Sequence, residues 1–163
     1  MPSLTRMTAT TPWPHALAAL IAIGALLAPH AAAMSEPVPG RLTGDTLTAA
    51  FVGKTYRGVY QDGVSWRETY LVDGEVDYQD DVNAARGEWF VREDLLCTFY
   101  DGDLVGGCFV VMRRSENCFD FYAVDLETNV PAAGWGAVRG AFGWTARGGR
   151  SDLLRTCPEG LVS

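Results

Sequence analysis

Histidine is scarce in this chain. Its two copies, His15 and His30, lie in a segment that reads as a cleaved secretory signal. Past that segment no Ser-His-Asp or Cys-His nucleophile can be assembled and no imidazole is there to hold zinc. No side chain with an unperturbed pKa near neutrality remains as a proton shuttle. Lysine is scarcer still, with Lys54 the single copy, and a lone lysine is ordinarily solvated. Without Arg6, 12 basic side chains face 20 acidic ones, a formal net charge of −8. That balance disfavours nucleic acid, whose phosphates are bound by clustered Lys and Arg. No C-x-x-C spacing occurs, so a zinc site is not indicated, and no cofactor is implied.

Charge is also missing from the first 35 residues, where Arg6 is the one charged side chain. It precedes the apolar run from Ala16 to Ala28, which Pro29 stops, and Ala31-Ala32-Ala33 follows as a small-residue cleavage site. The run has fewer residues than the roughly 18 to 20 a bilayer-spanning helix needs, so it is read as an address and not an anchor. Residues 1–33 are expected to be removed. Residues 34–42 then form a flexible leader and 43–163 a single β domain, periplasmic or secreted, with no membrane span.

Cys97, Cys108, Cys118 and Cys157 all fall in the expected mature portion, where an oxidising compartment favours disulfides. Asp101-Gly102 lies between two strand-like runs, so a turn there sets Cys97 opposite Cys108 and leaves Cys118 for Cys157. The competing pair is Cys108 with Cys118, across the turn at 113–117.

Thr43 or Asp45 is placed to cap a short helix through Phe51. From Lys54 the period changes to two: Tyr56, Gly58 and Tyr60 alternate with Thr55, Arg57 and Val59. Val64, Trp66, Glu68, Tyr70 and Val72 are expected to share one face of the next strand, between turns at Asp62-Gly63 and Asp73-Gly74. Further strands are expected at 75–79, 85–92, 95–100, 107–113 and 118–125, with 136–143 a weaker candidate. Arg147-Gly148-Gly149-Arg150 reads as a turn. Short strands joined by Asp-Gly turns indicate an antiparallel meander, and closure removes its exposed edges. The fold class is therefore all-β: a small up-and-down barrel or strongly curled meander with one short N-terminal helix, or alternatively a two-sheet sandwich.

The segment Gly53 to Val76, with Gly87-Glu88-Trp89, Leu96-Cys97 and Gly107-Cys108-Phe109, resembles a group of small exported proteins of alphaproteobacteria classed as a domain of unknown function. The resemblance covers about Gly53 to Tyr122. It implies an exported, disulfide-bonded β domain and no particular activity. Gly87-Glu88-Trp89 also resembles the Gly-x-Trp of lipocalins, but lies mid-chain and not on the first strand.

Glu68 stands out because it shares a face with aromatic residues, where burial would raise a carboxyl pKa. The favoured reading pairs it with Arg57 or Arg86, or leaves it in water at the barrel mouth. The alternative makes it a ligand contact or general acid. Trp66, Tyr70 and Trp89 complete the candidate ligand-binding set. No catalytic residue is assigned. Asp120 alternates away from Phe119 and Phe121, and only if it shared a cavity with Glu68 would a carboxylate-dependent hydrolase follow. The acidic run 73–81 fails the calcium-loop pattern at Tyr78 and Ala84. A binding module for a small ligand or an envelope protein is thus the expected function, with a hydrolase, or a protein inhibitor of a hydrolase, as alternatives.

Overall fold

The structure, a computed structural model, describes residues 37–158. The order of elements is α1 (Gly44–Phe51), β1 (Lys54–Tyr60), β2 (Ser65–Tyr70), β3 (Glu75–Asp80), β4 (Ala84–Arg92), β5 (Leu95–Tyr100), β6 (Gly107–Ser115), β7 (Cys118–Ala123), α2 (Gly134–Gly140) and β8 (Ala146–Arg150). Each strand pairs antiparallel with the next, and β8 returns to β1, so the sheet is a closed up-and-down barrel. Closure leaves no edge strand, which decides against the sandwich. The expected signal lies outside the described residues. Among those described, no helix is long and apolar enough to cross a membrane.

Period-two patterning decides which face is inside. Tyr56, Trp66, Tyr70, Val76, Tyr78 and Trp89 are buried, while Arg57, Arg67, Arg86 and Glu88 between them are exposed. One end of the barrel is plugged. Leu47 and Phe51 of α1 are fully buried, and the Phe51 ring stacks on Tyr56 at 4.5 Å and meets Tyr70 edge-on at 4.9 Å. The helix is short and stays in place through specific anchors. The Gly44 amide donates to Asp94 Oδ1 at 2.8 Å, the Tyr56 hydroxyl donates to the Ala50 carbonyl at 2.9 Å, and Lys54 Nζ donates to the Ala49 carbonyl. Lys54 is thereby committed to a helix end.

A second cluster lies outside the barrel wall. Cys97, Val110, Met112 and Tyr122, on the outer face of β5–β7, are covered by Val138 of α2 and by Trp144, with Val38 and Trp135 packed against them. Both disulfides are formed as favoured, Cys97–Cys108 across directly opposed positions of β5 and β6, and Cys118–Cys157 tying the tail to β7.

Four expectations are corrected. The leader ends earlier than residue 42: Arg41 bridges Met112, the Leu42 amide donates to the Val111 carbonyl at 2.9 Å, and Leu42 is buried. Val72 lies beyond β2 in the turn and is 81% exposed. The weak strand candidate 136–143 is occupied by α2 instead. The 147–150 turn is a strand, β8, and it closes the barrel.

That last correction has a steric reason. A Cβ built on Gly148 would stand 2.5 Å from the Arg57 carbonyl oxygen and 2.9 Å from Trp66 Cζ2, and one on Gly58 would stand 2.1 Å from the Arg147 carbonyl oxygen and 2.7 Å from Trp66 Cζ2. The indole of Trp66 lies over both glycines and fills the volume their side chains would have taken. Glycine here marks close approach and not a turn. Gly148→Ala is accordingly expected to cost about 3 kcal/mol, at the upper end of ordinary overpacking, because backbone atoms must move. Gly136→Ala on α2, where nothing lies within 4 Å, is the control and should be neutral or slightly stabilising in the same denaturant titration.

Candidate functional site

Side-chain size changes along the barrel axis. Near α1 the interior is filled by Phe51, Tyr56, Tyr70 and Phe119. Toward the other end the wall turns small, with Thr98, Gly106, Gly107, Ala123, Thr145 and Ala146, and a cavity of about 400 Å³ opens there. Tyr60, Trp66, Tyr100 and Phe121 supply its aromatic walls, and Glu68 is the one acidic side chain that lines it among the described residues. Volumes of roughly 300–1,000 Å³ are typical of small-ligand sites, and eight-stranded barrels are wide enough to hold one such ligand.

β2 positions Glu68. The alternation that turns Trp66 and Tyr70 inward turns Glu68 inward with them, and it is 8% exposed. Among the described residues no arginine reaches it, which overturns the favoured pairing. Arg86 binds Asp77 at 3.3 Å on the outer surface, and Arg57 is exposed. Two phenols take the place of a cation: the Tyr70 hydroxyl donates to Glu68 Oε2 and the Tyr100 hydroxyl to Oε1. Burial pushes the Glu68 carboxyl above its ordinary range, and the two phenol hydrogen bonds pull only part of the way back.

The phenols themselves stay protonated. Burial raises Tyr60 to about 12, and burial together with the adjacent Glu68 charge raises Tyr70 and Tyr100. They act as donors and are unsuited to proton abstraction at neutral pH. Nearer the opening, the Tyr60 hydroxyl donates to that of Tyr78 at 3.1 Å, which donates to Asp80 Oδ2 at 2.8 Å. Trp66 Nε1 is buried and has no acceptor among the described residues.

Of the four candidate ligand-binding residues, Glu68, Trp66 and Tyr70 line the cavity. Trp89 does not line it. Its indole N–H donates to the Leu71 carbonyl at 2.8 Å and its ring packs edge-on against Tyr70 at 5.5 Å, away from the opening. Tyr100 belongs to the site and was not anticipated. The run Leu95–Tyr100 is apolar on both faces, because its outer face is covered too, so alternation could not say which side of Tyr100 faces inward.

Asp120 occupies the other side of the wall. It points outward from β7 under α2, fully buried, and accepts from Arg147 Nε at 2.5 Å, Arg147 Nη2 at 3.0 Å and Arg114 Nε at 2.7 Å. Arg114 Nη2 continues to the Tyr122 hydroxyl and the Val138 carbonyl, each at 2.7 Å, fastening α2 to the barrel. Glu68 and Asp120 therefore share no cavity, and a two-carboxylate reaction centre is not formed between them.

No known protein family matches the chain, and no curated protein matches it either.

Proposed function

We propose that this protein is an exported, non-catalytic binding module whose barrel cavity holds a small, largely apolar ligand. The observation that carries the reading is the cavity itself: about 400 Å³, walled by aromatic and small side chains, at the end of the barrel opposite the α1 plug. A packed core would have filled that volume. The rim extends the same chemistry, since Val105 and Leu126 line the opening and are 91% and 50% exposed. Periplasmic or secreted placement fits two disulfides in a chain with no free cysteine among the described residues, and the resemblance to small exported alphaproteobacterial proteins agrees with it.

N-phenyl-1-naphthylamine, an uncharged fluorophore that brightens in apolar surroundings, tests the reading. The oxidised protein is expected to bind it with one-to-one stoichiometry. Ala123→Trp, which projects a ring into the opening from a half-buried position, should weaken that binding by about tenfold while leaving the thermal midpoint within a few degrees. Absence of binding, or binding that the substitution leaves intact, would overturn the proposal.

A further inference from the structure

We infer that the cavity takes an organic cation: an amine whose ammonium rests against Glu68 and whose apolar body lies among Trp66, Tyr100 and Phe121. This rests on the reading of the cavity as a ligand site and specifies its chemistry. Glu68 is a buried carboxylate with two hydrogen-bond donors and, among the described residues, no cation beside it. A carboxylate has about four acceptor positions, so capacity remains for an ammonium N–H. Among the described residues, nothing else in the cavity wall carries a charge to compete with it.

The remaining wall suits the same ligand. Indole and phenol rings present negative faces that attract ammonium groups, and the attraction strengthens when water is excluded. Trp66 meets Phe121 edge-on at 5.6 Å, and Tyr100 packs against Tyr78 at 5.0 Å, so the rings are held in place before a ligand arrives.

The approach to the cavity carries the matching sign. β1, β3, β5 and β7 all run toward the open end, so the connections 61–64, 81–83, 101–106 and 124–145 gather there. They carry Asp62, Asp81, Asp101, Asp103, Asp125 and Glu127, against one base, Arg139 on α2. At the plugged end Lys54, Arg92, Arg113 and Arg150 are interspersed with the acids. A mouth of one sign concentrates ligands of the other and repels anions. An anionic ligand would face this rim and then meet Glu68, which is why a fatty acid or other carboxylate is the wrong class.

Protonation of Glu68 links affinity to pH. The ionisable groups facing it are Tyr56 and Tyr60 on β1, Tyr70 on β2, Tyr78 on β3 and Tyr100 on β5, with Asp80 beyond Tyr78, and α1 brings the uncharged Phe51 against Tyr56 and Tyr70. The phenols stay neutral through the accessible range, and Asp80 is held down at about 2 by its hydrogen bonds to Asn83 and Val82, so Glu68 is the group that titrates. An ammonium binds its ionised form, so amine affinity should fall as pH drops through the Glu68 transition.

The test uses three probes with one apolar body, 2-phenylethylamine, 2-phenylethanol and phenylacetate, titrated calorimetrically into the oxidised full-length protein. The amine is expected to bind at least about tenfold more tightly than the alcohol, and phenylacetate most weakly. Glu68→Gln should abolish the preference for the amine without weakening the alcohol. In the unmodified protein, acidification should weaken the amine alone, an arm that needs no variant. Equal affinities for amine and alcohol, or a preference for phenylacetate, would overturn the cation assignment while leaving the cavity reading standing. Loss of all three together with N-phenyl-1-naphthylamine would overturn both.

Discussion

Asp120→Asn is expected to lose about 3–5 kcal/mol of folding stability in denaturant unfolding at neutral pH, the usual consequence of removing one partner from a buried ion pair. Asparagine keeps the shape of the side chain and part of its hydrogen bonding. It cannot neutralise Arg147 and Arg114, whose side chains are only 10% and 16% exposed. Through Arg114 the loss reaches Tyr122 and Val138, so α2 should loosen from the outer wall, and Trp144 fluorescence should report it. The loss is expected chiefly as a lower midpoint with little change in slope.

Glu68→Gln should behave in the opposite way, although Glu68 is buried almost as deeply. Among the described residues no cation is left uncompensated there, and the glutamine amide can accept from one phenol through its oxygen while its NH2 donates to the oxygen of the other. Because burial raises the Glu68 pKa, the folded protein retains this proton to higher pH than the unfolded chain does. The resulting stabilisation is fully present below the ordinary value of 4.5 and is lost as pH rises through the folded-state value. Glutamine does not titrate, so the variant should gain relative to the parent as pH rises from the ordinary carboxylate range through the folded-state value, and keep that gain above it. A neutral-pH loss as large as that of Asp120→Asn would mean that Glu68 has a structural partner after all.

Much of the barrel was legible because its faces alternate cleanly. β1–β3 follow period-two runs broken by Asp-Gly, while the β5–β6 hairpin was legible from Asp101-Gly102 between two strand-like runs, a turn that also assigned its disulfide. Legibility failed where a neighbour supplied the volume that pattern-reading seeks in the residue itself. Gly148 in β8 looked like punctuation because Trp66, distant in sequence, covers it. Residues 136–143 looked like a weak strand because a two-turn helix lying on a sheet shows too few residues for a 3.6-residue period to emerge. The site was half legible by the same logic. The inward face of β2 exposed Glu68, Trp66 and Tyr70 as a set. Tyr100 reaches Glu68 across the barrel interior, and no local spacing encodes a partner on a strand three places away.

The tail offers the second large effect. Replacing Cys118 and Cys157 together with serine is expected to cost about 4 kcal/mol, against about 3 kcal/mol for the Cys97 and Cys108 pair, because the closed loops span 39 and 11 positions. The difference should be amplified by what the longer link holds. The Asn117 side chain donates to the carbonyls of Arg150, Leu153 and Leu154 and accepts from the Arg150 amide at 2.8 Å, while Ser115 and Thr156 bond each other at 2.6 Å. These contacts fix the chain just past β8, the strand that closes the barrel, and Cys157 is the covalent end of that arrangement. Once it is released, the β8 pairings with β1 and β7 should lose hydrogen-exchange protection before the β5–β6 hairpin does. Unfolding of the two double-serine variants, with amide exchange on each, measures both claims. A smaller loss for the Cys118–Cys157 variant, or protection lost first at β5 and β6, would show that the barrel does not depend on its tail.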